Sequence, residues 1–110
     1  MTRPDSIKVG AIVYTVEWHG EDWLDRYDRR GDCCPRKATI GVCEAMPPAQ
    51  QAVTLLHEVC HAIEHASATC GEKLEPEQAA LLYSGGLAMV WRDNPGLVRW
   101  LIDSLGVVHG

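Results

Sequence analysis

Two histidines and a glutamate within five residues, His57-Glu58-Val59-Cys60-His61, are the residues in this sequence best spaced to do chemistry. On a helix, positions four apart lie one above the other. Both imidazoles can then offer a nitrogen to a single Zn²⁺ at roughly 2.0–2.1 Å. Glu58 is poorly placed as a third ligand, but it can face a water on the metal and take its proton. The H-E-x-x-H spacing points to a zinc hydrolase, and within that class to a peptidase.

That chemistry needs a helix, and the flanking residues supply one. Ala52, Val53, Leu56, Val59, Cys60 and Ile63 recur at helical spacing with no Gly or Pro among them, and Pro47-Pro48 stands where a first turn accepts proline. The expected helix runs from about Pro47 to Ala66. A catalytic zinc usually has three protein ligands and an open position for water. His65 continues the series at i+8, but three ligands so spaced would span about 12 Å of helix, too far for one ion. His65 is therefore read as an outer or surface group. Glu77, Glu75 and Glu72 remain as third ligands, in that order, because Glu77 opens a helix able to lie beside the motif helix. The donor for a developing oxyanion is left unassigned, and Tyr27, Tyr83 and His65 are read as structural groups.

Strands rich in β-branched residues are expected at Ile7–Val9 and Ile12–Trp18, with Gly10 making either a tight hairpin or a bulge. The polar stretch from His19 to Lys37 reads mostly as loop, with a short helical turn over Asp22–Tyr27. A third strand is expected at Ala38–Cys43. After the motif helix, a second begins at Glu75-Pro76 and ends near Trp91, with Gly85-Gly86 allowing either a close helix approach or a kink. Asn94-Pro95 caps a third, whose apolar face carries Leu97, Val98, Trp100, Leu101, Ile102 and Leu105. The expected fold class is α+β: about three N-terminal strands packed on the motif helix, then two further helices, all in one domain over residues 1–110.

Composition narrows the setting. A chain of 110 residues has room for one modest core, and its formal charge of -5 argues against nucleic acid as a partner. The basic residues Arg26, Arg29, Arg30, Arg36 and Lys37 interleave with Asp25, Asp28 and Asp32, and read as a solvated mixed-charge segment. Five cysteines, an odd count without a C-x-x-C pair, fit free thiols in a reducing cytosol. Cys33, Cys34 and Cys43 form a secondary alternative for a metal or redox element, while Cys60 reads as a packing residue. Met1-Thr2-Arg3-Pro4-Asp5 lacks the apolar run of a secretory leader, and no stretch is long enough for a membrane span. The expected location is the cytosol.

Leu55-Leu56-His57-Glu58-Val59-Cys60-His61-Ala62-Ile63, a short strand just upstream, Glu77-Gln78-Ala79-Ala80 downstream and Asp93-Asn94-Pro95 before a last amphipathic helix resemble the ImmA/IrrE-type metallopeptidases, in particular their small phage and prophage versions. The resemblance implies a minimal zincin-like domain with Zn²⁺ on His57, His61 and Glu77, and with Glu58 as catalytic base. It also implies a protein or peptide substrate, such as a phage or host regulatory protein. Where longer members end in a Leu-Leu-Met-Pro-like segment, this chain has Leu87-Ala88-Met89-Val90. By resemblance to zincins, the strand over Thr39–Val42 is expected either to be an edge that pairs with extended substrate or to be a core strand with a covered edge. The alternative is a non-catalytic, zinc-stabilised protein that sequesters a regulatory or host partner. Oligomeric state is left open.

Overall fold

Alternation of apolar and polar residues builds the sheet first. The computed structural model describes residues 2–23 and 29–106. Strands β1 (Ser6–Val9) and β2 (Ile12–His19) pair antiparallel, with Val9 opposite Ile12. Their two-residue connection places Gly10 at φ 62, the left-handed first position that a type II′ hairpin turn requires. The tight hairpin, not the bulge, is therefore what forms. Ile7, Val9, Tyr14 and Val16 fall on one face and are buried, while Lys8, Val13 and Thr15 point away and are exposed.

Two more strands complete the sheet, β3 (Gly31–Cys34) and β4 (Thr39–Cys43), in the order β1-β2-β4-β3. β4 runs parallel to β2 and antiparallel to β3. This corrects the loop reading and decides the place of Thr39–Cys43. β3 lies in the stretch read as loop: Gly31-Asp32-Cys33-Cys34 lacks β-branched residues, and pairing with β4 imposes its extended form. Thr39–Cys43 is consequently an interior strand, bonded on both sides, and the edge next to the motif helix is β3. Residues 21–23 are helical; the rest of the expected turn, including Tyr27, lies outside the described residues.

Three helices follow: α1 (Pro48–Ala66), α2 (Pro76–Asp93) and α3 (Pro95–Ser104). The architecture is α+β, as expected, with a four-stranded sheet among the described residues. α1 lays Ala52, Leu55, Val59 and Ala62, spaced three and four apart, against the buried face of the sheet. Complete burial of an aliphatic side chain is worth about 1.5–3 kcal/mol, so this stripe fixes how α1 is rotated. On its other side, α1 meets α2 where a side chain on Gly86 would come within 2.5 Å of Ile63 Cγ2. Gly86 thus permits close helix approach, and α2 runs unbroken through Gly85 and Gly86. Trp100 is buried in the core cluster and Trp91 packs against it, so both serve internal packing.

Helix ends are tied down by side chains. Gln51 Nε2 donates to the Glu44 and Met46 carbonyls at 3.1 and 2.7 Å, anchoring the start of α1. Glu75 and Gln78 form a capping box at α2. Asn94 occupies the N-cap position of α3, yet its side chain makes no cap bond. Its carboxamide accepts from the Lys8 amide at 2.9 Å and donates to the Lys8 and Val90 carbonyls at 2.8 Å. Asn94 therefore stitches the helices to the outer edge of β1, a role a cap reading does not anticipate.

Candidate metal centre

At 100° per residue, His57 and His61 fall on a strip of α1 between the side covered by the sheet and the side covered by α2. Both are exposed. Glu58 turns toward the sheet and is 6% exposed. Its carboxylate fits under β3 because residue 31 is glycine: a Cβ there would stand 2.9 Å from Glu58 Oε2 and 2.6 Å from Thr54 Cγ2. Burial raises the proton affinity of the Glu58 carboxyl, with His57 and then His61 pulling it back down.

The ligand atoms of His57, Glu58 and His61 all lie within 4.8 Å of one another. His57 Nε2 and His61 Nε2 are 3.2 Å apart. Two nitrogens bound at 2.0–2.1 Å to a tetrahedral ion stand about 3.4 Å apart, so the pair matches one edge of a zinc coordination shell. The donor set of two imidazoles beside a carboxylate also suits that ion.

His61 is held from behind. Its Nδ1 lies 2.8 Å from Glu64 Oε1, and the Tyr83 hydroxyl of α2 donates to Glu64 Oε2. A carboxylate at Nδ1 keeps a proton there and leaves Nε2 with its lone pair free for a metal. Glu64 is held below the usual carboxylate range, chiefly by the Tyr83 hydrogen bond and then by His61. The same bond pushes Tyr83 up to about 12. Tyr83 is thereby committed to Glu64, in keeping with the structural role expected of it. The helix contained a signal for Glu64, since it stands three residues beyond His61 on the same face. Tyr83 gave none, because its place depends on how α2 packs on α1.

The structure brings His57, Glu58 and His61 together and does not bring Glu77, Glu75 or Glu72 to them. Glu77 is exposed on the first turn of α2, six residues before Tyr83, which is about 9 Å of helix. The Glu75 carboxylate is spent on its capping box. His65 is exposed, with Nδ1 4.0 Å from Cys70 Sγ, as its reading as an outer group implies. All five cysteines are free thiols. Cys33, Cys34 and Cys43 form no metal-holding group among the described residues. Burial, reinforced by Glu58, pushes the Cys33 thiol up to about 12, which keeps it protonated and unreactive.

No family model, curated protein or solved structure matches the chain.

Proposed function

We propose that this chain is a zinc-dependent metallopeptidase that hydrolyses a peptide bond in a protein or peptide substrate. The observation that carries the reading is the convergence of two imidazole nitrogens 3.2 Å apart on a buried carboxylate. A metal site that served only stability would have no use for Glu58 in that position. The resemblance to ImmA/IrrE-type enzymes supports the same activity and suggests a phage or host regulatory protein as substrate.

Zn²⁺, when bound, supplies Lewis acidity that lowers the pKa of water toward about 7 and polarises the scissile carbonyl. His57 and His61 would hold the ion, with His61 kept in the metal-binding tautomer by Glu64. Glu58 takes the proton of the attacking water and returns it to the leaving amine. Its burial favours that exchange, because a carboxyl with raised proton affinity is a better base. Glu77, the third ligand implied by the resemblance, would reach the ion only if the first turn of α2 closes on it.

Substrate has a backbone edge to pair with. The Cys43 amide donates to the Arg30 carbonyl at 2.8 Å, so the alternation of antiparallel pairing directs the backbone groups of Gly31 and Cys33 to the open side of β3. An extended peptide added there would pass beside Glu58. The test is cleavage of a mixed peptide substrate by zinc-loaded protein. Chelation should abolish cleavage and added zinc restore it; cleavage that survives chelation would refute the proposal.

A further inference from the structure

The depression that contains His57 and Glu58 has a basic wall. It encloses about 550 Å³, and Arg29, Arg30, Gly31 and Thr54 line it together with those two residues. Arg29 and Arg30 belong to the segment that reads from sequence as a solvated mixed-charge stretch. The fold gives them a definite address, immediately before the edge strand and one or two residues from Gly31, which abuts Glu58. At roughly 3.3 Å per residue, that is about 3–7 Å of backbone.

The Arg30 backbone is tied to β4 by its bond from the Cys43 amide. Its side chain also borders a second depression of about 250 Å³ beside Ala49 and Gln50, over the first turns of α1. Arg29 stands 3.7 Å from Asp32 on β3 and is 59% exposed. The chain as a whole carries a charge of -5, so its general field repels acidic peptides. The two guanidinium groups oppose that field at the groove where substrate would lie, with Asp32 and Glu58 as the acidic groups beside them. Guanidinium is also the side chain best shaped to hold a carboxylate through paired hydrogen bonds.

From these positions we infer that Arg29 and Arg30 are specificity determinants selecting substrates with a carboxylate within one or two residues of the scissile bond. The inference rests on the peptidase reading. The carboxylate belongs either to an Asp or Glu side chain or to a nearby chain terminus, and the cleavage sites distinguish the two.

The experiment incubates a proteome-derived peptide mixture with zinc-loaded wild-type protein and identifies the cleaved bonds by mass spectrometry. Cleavage should concentrate at bonds flanked by Asp or Glu, or next to free C-termini. Matched synthetic peptides then measure kcat/KM with the carboxylate present, or replaced by Asn, Gln or a terminal amide. A preference of about tenfold is expected in the wild type, falling to near one in R29A/R30A. R29E/R30E should turn the preference toward Lys- and Arg-bearing peptides, which a merely structural role would not do. Cleavage without acidic preference, or a preference that persists in R29A/R30A, would overturn the inference and leave the peptidase reading standing. No cleavage of any peptide by protein shown to hold zinc would remove both.

Discussion

His61 takes its chemical identity from Glu64 and Tyr83 behind it. Outer partners of this kind are typically worth 10–100-fold in metal affinity. Zinc titration of Glu64→Gln should raise Kd by about that factor, while Glu77→Gln should stay within about twofold; the reverse ranking would place the third ligand on the first turn of α2. The Tyr83 bond also ties stability to pH. Glu64 is held below its ordinary range, and a depressed acid contributes stability that is complete above the unfolded value near 4.3 and is lost as pH falls through the lower folded value. Tyr83→Phe should therefore cost about 1 kcal/mol at pH 7, allowing for the partial exposure of the pair. The difference should shrink as the pH is lowered through the folded Glu64 value, as denaturant melts at neutral and acid pH would show. Among these residues, the histidine pair and Glu58 were legible in the sequence because helix geometry alone fixes an i, i+4 pair. Glu64 was missed although the same rule marks it, and no spacing could reveal Tyr83, which is set by a tertiary contact.

Among the elements, the close packing of α1 on α2 is the contact that brings Tyr83 to the site. Gly85 and Gly86 are neighbours with opposite surroundings. A side chain at Gly86 would strike Ile63, whereas one at Gly85 meets nothing within 4 Å. Gly86→Ala should destabilise by about 1–3 kcal/mol through overpacking. Gly85→Ala should stabilise by roughly 0.5–1 kcal/mol by lowering the entropy of the unfolded chain. Equal effects of the two substitutions on the denaturation midpoint would contradict this packing. The helices were legible because proline starts and apolar periodicity mark them. β3 was not, because Gly31-Asp32-Cys33-Cys34 has no strand pattern of its own and becomes a strand only beside β4. Missing it moved the expected substrate edge onto an interior strand.

For the whole molecule, no helix among the described residues is long and apolar enough to cross a membrane. The buried apolar residues form one cluster drawn from the sheet and all three helices. α1 contributes to that cluster and also carries the histidines, so metal binding at that pair would be coupled to folding through it. Zinc at a thousand times its Kd should add about 4 kcal/mol to stability. The melting temperature should rise by on the order of 10 °C or more, and chelation should reverse the rise. Identical melts with and without zinc would separate the histidine pair from any metal. Glu58 is proposed as the base for a reaction at that pair, and that role is open to measurement. It is tested most directly by the rate of peptide cleavage per bound zinc in Glu58→Gln against the wild type. Equal zinc content and a rate lower by about 10²–10⁴ are expected; an equal rate per zinc in the two proteins would rule out Glu58 as the base.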